Sequence, residues 1–153
     1  MRKLLVLSHT PSANTEALLQ AIIKSAQESE TEALTITAKH FLEAQPEDLM
    51  DCHGVIFLCT ENIGYMSGLA KDWFDRHFYY SEQHCQGMPY SLVVRAGLDG
   101  TATCKAVASI CQGMGWNEAL PPLLLSGQWQ EEFTQLAAER GQHMALSVDM
   151  GLV

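Results

Sequence analysis

The sequence predicts an α/β fold in which helices cover both faces of a parallel sheet. Short, continuous apolar runs such as Lys3 to Leu7 and Val55 to Cys59 are typical of strands that are buried on both sides. Segments with helical spacing of apolar residues separate these runs, as crossover helices do between parallel strands. A chain of 153 residues has the size of one domain, so we expect a single domain over residues 1–153.

The elements alternate along the chain. We expect strands at Lys3–Leu7, Ala33–Thr37, Val55–Cys59, Tyr90–Val94 and Leu120–Leu125. The first helix begins at Asn14, an N-cap residue type, and a short helical turn begins at Pro46. An aromatic-rich helix carries Leu69, Trp73, Phe74 and Phe78, which we expect in the core, and two further helices include Ala106 to Cys111 and Gln130 to Ala145.

Composition excludes several classes of function. The formal net charge of −9 disfavours nucleic-acid binding, because little basic surface is left to neutralise phosphates. No apolar run has the length of a membrane span. The five cysteines form no Cys-x-x-Cys pair, and the histidines form no His-x-x-x-His pair, so we expect reduced thiols, no metal site and a cytoplasmic protein.

Ligands of such sheets bind at the carboxyl ends of the strands, so the loops that follow strands are the place to seek chemistry. The loop from Ser8 to Thr15 contains four hydroxyls and runs into a helix N-terminus, where free N–H groups attract a phosphate. The alternative is that Asn14 only caps the helix and the hydroxyls face water. No P-loop motif occurs, and Gly113-Met114-Gly115 follows a helix rather than a first strand, which disfavours a dinucleotide-binding turn.

The loop from Thr60 to Gly68, with the following Leu69-Ala70-Lys71-Asp72-Trp73-Phe74-Asp75-Arg76, resembles the flavodoxin-like superfamily. The similarity is greatest to its NAD(P)H-dependent FMN reductase and quinone reductase branch. The hydroxyl-rich first loop and the segment Ala96-Gly97-Leu98-Asp99-Gly100 occur in the matching order. The resemblance implies a five-stranded parallel sheet of order 2-1-3-4-5 in a three-layer sandwich, with FMN as the cofactor.

The resemblance also implies the residues that hold FMN. Those around the phosphate would be Ser8, Thr10, Ser12, Ala13, Asn14 and Thr15. Those along the isoalloxazine ring would be Thr60, Glu61, Asn62, Ile63, Gly64 and Tyr65, with backbone groups near N5. The other wall, near the pyrimidine end, would consist of Ala96, Gly97, Asp99 and Gly100. Independently of the resemblance, Gly64, Gly97 and Gly100 allow backbone to approach a flat ligand, and Tyr65 offers an aromatic face.

Three functions fit this interpretation. The first is an oxidoreductase that transfers electrons from NAD(P)H to a quinone or another small acceptor, with a homodimer as one form of assembly. The second is a flavodoxin-type electron carrier that docks with redox partner proteins, and the third is an FMN-binding protein without turnover. No catalytic side chain is required, because the flavin performs the redox chemistry. The carboxylates of Glu61 and Asp99 should lower the reduction potential of a bound flavin.

Overall fold

The computed structural model describes residues 1–153 as an alternating sequence of seven strands and five helices. The strands are β1 (Arg2–Ser8), β2 (Leu34–His40), β3 (Gly54–Asn62), β4 (Tyr65–Met66), β5 (Pro89–Ala96), β6 (Asn117–Glu118) and β7 (Leu123–Ser126). The helices are α1 (Ala13–Gln27), α2 (Pro46–Leu49), α3 (Gly68–His84), α4 (Thr101–Gly113) and α5 (Glu132–Met150).

The main strands are all parallel and confirm the predicted order. β1 lies between β2 and β3, and β5 pairs with the far side of β3. The fifth position is shared by two short strands, since β6 pairs with the beginning of β5 and β7 with its end. The strand predicted at Leu120–Leu125 overlaps β7 at Leu123–Leu125, but its first three residues lie outside β7. The prolines Pro121 and Pro122 interrupt it, because proline has no N–H for the ladder.

Two hydrophobic clusters, one on each face of the sheet, form the core. Along β1 the side chains alternate, so that Leu4 and Val6 join one cluster and Leu5 and Leu7 join the other. The first cluster includes residues of α1 and α5, and the second includes residues of α3 and α4. Burial on both faces is why the strand sequences are continuously apolar.

Helices α1 and α5 pack very closely. A Cβ atom built on Gly141 would lie 2.3 Å from the backbone oxygen of Ile22, so only glycine permits this approach. On the opposite face, Trp73 and Phe74 are buried in the core as predicted, whereas Phe78 is only partly buried and Leu69 is half-buried outside the cluster. None of the helices is both long and apolar enough to cross a membrane.

Several predicted boundaries need correction. β2 begins at Leu34 and continues to His40, beyond the predicted end at Thr37. β3 continues through Thr60, Glu61 and Asn62, which were predicted to lie in a polar loop. These residues form a hairpin with β4, so their backbone groups are paired even though their side chains are polar.

Candidate functional site

The candidate site lies at the carboxyl edge of the sheet. β1, β3 and β5 are adjacent and parallel, so their ends meet at this edge. Three segments follow these ends: the loop before α1, the hairpin formed by the end of β3 with β4, and the turn between β5 and α4. The topology therefore brings together the three segments in which ligand-binding residues were predicted.

The first segment ends in a well-capped helix. The N-cap is Ser12 rather than the predicted Asn14, and its hydroxyl accepts a hydrogen bond from the Thr15 N–H at 3.2 Å. The Thr15 hydroxyl in turn accepts one from the Ser12 N–H at 3.0 Å, which completes a capping box. The hydroxyls of Ser12 and Thr15 therefore stabilise the helix end, whereas the alternative had Asn14 as the cap and these hydroxyls facing water.

Backbone donors remain at this helix end. The first intrahelical hydrogen bond runs from the Glu16 N–H to the Ser12 carbonyl at 2.9 Å, so the N–H groups of Ala13 and Asn14 precede it. Both residues are exposed. Two N–H groups without an intrahelical partner, at the positive end of a 15-residue helix, form a place where an anionic group is stabilised.

The segment from Ser8 to Glu16 contains no lysine or arginine. The Thr10 hydroxyl donates to the Glu16 carboxylate at 2.8 Å, and Gln20 donates to the other oxygen at 2.9 Å. These hydrogen bonds, first that of Gln20 and then that of Thr10, lower the pKa of Glu16. Partial burial, and next the nearby His40, lower the pKa of His9, so this imidazole is predominantly neutral at pH 7. An anion here would be held by neutral donors, as the sequence indicated.

The hairpin presents an exposed, strained tip. Its central residues Ile63 and Gly64 have φ angles of 53° and 73°, both positive as a type I′ turn requires. For a β-branched residue this conformation is unfavourable, and strain of this kind concentrates at ligand sites. The Ile63 side chain is 105 % exposed and that of Tyr65 is 41 % exposed. Two large apolar side chains thus face solvent beside the turn.

The turn between β5 and α4 has a similar character. Leu98 is 87 % exposed, and Gly97 has no atom within 4 Å of the position that a Cβ would take. Gly100 has a φ angle of 82°, and a Cβ there would lie 2.3 Å from Leu124 and 2.8 Å from the Cβ of Ala96. Glycine is therefore required at position 100, because both the conformation and the space exclude a side chain.

A carboxylate joins the hairpin to this turn. One oxygen of Glu61 accepts a hydrogen bond from the Gly100 N–H at 3.1 Å, and the other accepts one from the Thr103 hydroxyl at 2.8 Å. Glu61 was predicted to lie along the flavin ring. In the structure both of its oxygens are engaged within the protein. Thr103, which the sequence analysis missed, has no motif around it that would have identified it.

Most of the predicted residues fall into a supporting or an exposed group; Thr10 and Glu61 are half-buried, and Gly100 is buried at the start of α4. The side chains of the supporting group are buried below the edge: Ser8, Thr15, Thr60 and Ala96. The Thr60 hydroxyl donates to the Asn62 side chain at 2.9 Å, which steadies the hairpin. The exposed group consists of Ser12, Ala13, Asn14, Asn62, Ile63, Gly64, Tyr65, Gly97 and Asp99.

Arg95 is a second residue that the sequence analysis missed. It lies at the end of β5, and its guanidinium donates to the carbonyl groups of Leu125 at 3.0 Å and Gly127 at 2.7 Å. The same group lies over the Phe133 ring, 5.3 Å from its centre. The signal available in the sequence was a single arginine directly after the apolar residues of a predicted strand. Arg95 fixes β7 and the start of α5 against the edge of the sheet.

The largest cavity lies elsewhere. It has a volume of about 460 Å³ and is lined by residues that precede β3 and β5, among them Cys52, Cys85 and Tyr80. This is the amino edge of the sheet, opposite the candidate site. Burial, the leading cause, raises the pKa of Cys52 to about 12, so its thiol is a poor nucleophile. At the carboxyl ends of β1 and β2, Ser8, Thr10 and His40 line a smaller cavity of about 280 Å³. The turn residues Ile63 and Leu98 are exposed to solvent.

Comparison with known proteins identifies the fold. No protein-family model and no curated protein matches the sequence. A solved flavodoxin from the domain Archaea superposes with a TM-score of 0.81 at 17 % identity, covering 95 % of this chain and 98 % of that one. A flavodoxin, WrbA-like protein from Agrobacterium tumefaciens has a TM-score of 0.73 at 14 % identity, covering 98 % and 99 %.

The same fold occurs inside a longer enzyme. The rubredoxin oxygen:oxidoreductase from Desulfovibrio gigas has a TM-score of 0.79 at 14 % identity, covering 100 % of this chain but 37 % of its own length. The chain therefore has the flavodoxin-like fold, and the resemblance stated from the sequence is confirmed at the level of fold.

Proposed function

We propose that this protein binds one FMN at the carboxyl edge of the sheet and uses it for electron transfer. The observation that carries the proposal is the arrangement of Ile63, Tyr65 and Leu98, large apolar side chains that are exposed on two turns beside a helix N-terminus with free N–H groups. An apolar surface next to an anion site is complementary to a flat heterocycle that carries a phosphate.

The residues fit FMN in their chemistry. The N–H groups of Ala13 and Asn14 would hold the phosphate, and the turns around Gly64 and Gly97 would contact the ring through backbone atoms, since neither glycine has a crowded Cβ position. FMN supplies the redox chemistry through its isoalloxazine ring. The protein supplies position, the apolar cover of the exposed side chains, and an acidic surrounding with the exposed carboxylate of Asp99.

We expect this acidic surrounding to disfavour an anionic reduced ring. The reduction potential of the bound flavin should therefore lie below that of free FMN. A measured potential well above the free value would contradict this expectation.

Phosphate binding can be tested with a proline at the first position of α1. Ala13→Pro removes one N–H group without breaking the helix, because Ser12 before it is extended, with φ of −138° and ψ of 162°. Loss of one hydrogen bond to a charged group should weaken FMN binding about tenfold. Riboflavin lacks the phosphate and is the matched control, so its dissociation constant should not change. Equal effects on both ligands, or none, would show that the phosphate lies elsewhere.

Within this proposal, the first candidate activity is an oxidoreductase that transfers electrons from NAD(P)H to a quinone or another small acceptor. The resemblance of residues 60–76 to the FMN reductase and quinone reductase branch supports it. Because the turn residues Ile63 and Leu98 are exposed, a nicotinamide and then an acceptor could stack in turn on an exposed face of the ring. The test is steady-state oxidation of NADH and NADPH by the FMN-loaded protein with a quinone present.

The second candidate is an electron carrier. The observation that favours it is the near-complete match in length and fold to a flavodoxin, together with the net charge of −9, which suits docking with a basic partner. A carrier should oxidise almost no NAD(P)H unless a separate reductase is added. Flavin binding without electron transfer under either condition would instead support a non-catalytic FMN-binding protein.

A further inference from the structure

We propose that Glu61 is a positioning residue whose carboxylate sets the spacing between the two turns that would hold the flavin ring. This inference rests on the proposed function and deepens it. The hydrogen bonds from the Gly100 N–H and the Thr103 hydroxyl to Glu61 are called the Glu61 bridge below. In the sequence, Glu61 is 39 positions from Gly100 and 42 positions from Thr103.

The bridge replaces a cap that α4 lacks. Its N-cap is Gly100, which has no side chain and therefore makes no capping hydrogen bond of its own. Glu61 accepts the N–H of this N-cap from a different element, and its negative charge lies at the positive end of the helix. The turn before α4 thus depends on the hairpin for its stability.

The bridge lies at the base of both turns. Ile63 is two residues beyond Glu61, and Leu98 is two residues before Gly100, and both of these tips are largely exposed. The donor Thr103 is fully buried, so the bridge is anchored in the protein on the α4 side. A hydrogen bond to a charged acceptor at a partly buried position contributes more than a neutral one.

Because the Glu61 bridge holds the bases of the two turns together, the distance between Ile63 and Leu98 at their tips is set before a ligand binds. A ligand that binds a preorganised gap does not lose the free energy that ordering two mobile turns would cost. Glu61 would therefore raise the affinity for a flat ring without touching it. The polar edge of the ring would be contacted by backbone groups of the two turns, because both carboxylate oxygens of Glu61 are already engaged.

The test pairs one substitution that leaves the charge unchanged with one that removes the carboxylate. Thr103→Val removes the hydroxyl with little change in shape, and Glu61→Ala removes the whole bridge. We expect each to raise the dissociation constants of FMN and riboflavin by the same factor, about tenfold, because the ring site and not the phosphate site is affected. The double variant should bind flavin no more weakly than the single variant with the lower affinity, since both substitutions remove the same interaction. Thr103→Ser, which restores a hydroxyl, should recover part of the affinity.

Two measurements separate the possible failures. The control Glu82→Ala makes the same charge change as Glu61→Ala, but at an exposed position on α3. Its dissociation constants for FMN and for riboflavin should both stay within twofold of the wild-type values. If wild type binds FMN and Thr103→Val binds it equally well, the positioning role is wrong. If wild type binds no flavin, the proposed function is wrong and the role toward flavin falls with it. Exchange of the Gly100 amide hydrogen, slow in wild type and fast in Glu61→Ala without flavin, then still reports whether the bridge itself forms.

Discussion

The three glycines of the ring turns provide a graded test of the geometry. Gly100 has a positive φ angle and no room for a Cβ, Gly64 has a positive φ angle of 73° with open space, and Gly97 has open space without a positive φ angle. Alanine therefore adds both backbone strain and a steric clash at position 100, strain alone at position 64, and neither at position 97. All three positions lie within the candidate site, so the comparison is internal.

The expected losses follow from these two effects. Alanine in the left-handed region costs about 1 kcal/mol or somewhat more, which is the whole effect expected for Gly64→Ala. At Gly100 the added Cβ would meet Leu124 at 2.3 Å and Ala96 at 2.8 Å, and overpacking of this kind costs about 1–3 kcal/mol more. We expect a total of about 3 kcal/mol for Gly100→Ala and less than about 0.5 kcal/mol for Gly97→Ala.

Urea unfolding followed by circular dichroism measures these differences as changes in the free energy of unfolding. Gly97→Ala should be the most stable of the three variants, Gly64→Ala intermediate and Gly100→Ala the least stable. If Gly100→Ala were no less stable than Gly64→Ala, the close packing of this turn against Leu124 and Ala96 would be wrong. The basis of the Glu61 bridge at the Gly100 N–H would then be lost as well.

Three further predictions concern the helix end, the hairpin tip and pH. Ser12→Ala should cost about 1 kcal/mol of stability while Asn14→Ala costs much less, since Ser12 is the cap; equal losses would contradict the capping box. Ile63→Asn should stabilise the protein by about 1 kcal/mol because asparagine tolerates a positive φ angle, yet weaken flavin binding; a loss of stability would refute the strained turn. Burial, partly opposed by a hydrogen bond to a backbone carbonyl, lowers the pKa of His77, so the unfolded chain binds more protons and stability should fall as pH drops below about 6.5. In His77→Phe the slope of unfolding free energy against pH should decrease but not vanish, because the pKa of His9 is lowered too; an unchanged slope would refute the assignment.

The buried layers of the fold were predictable because their signal is local. The cores of β1, β3 and β5 are continuous apolar runs, and burial on both faces leaves no other pattern. The outermost strand position, beside β5, was less predictable. β6 and β7 are short strands separated by Pro121 and Pro122, and their pairing is decided by the neighbouring β5 rather than by their own sequence.

The candidate site was predictable in its place but not in its contacts. Parallel topology brings the ends of β1, β3 and β5 to one edge, which follows once the strands are known. The hairpin was missed because Thr60, Glu61 and Asn62 have polar side chains and Ile63 is an unusual residue for such a turn. The role of the hairpin depends on the hydrogen bond from the Gly100 N–H, at the start of α4, to Glu61. The two residues are 39 positions apart, so no local sequence pattern indicates this contact.

The most direct test is an amide NMR titration of the purified protein with FMN. We expect the largest shifts at Ala13 and Asn14, at residues 62–64 and at residues 97–99, since these are the exposed backbone groups of the three segments at the carboxyl edge. Amides around the large cavity at Cys52 and Cys85 should not move. Shifts confined to that opposite edge, or no shifts at saturating FMN, would contradict the account.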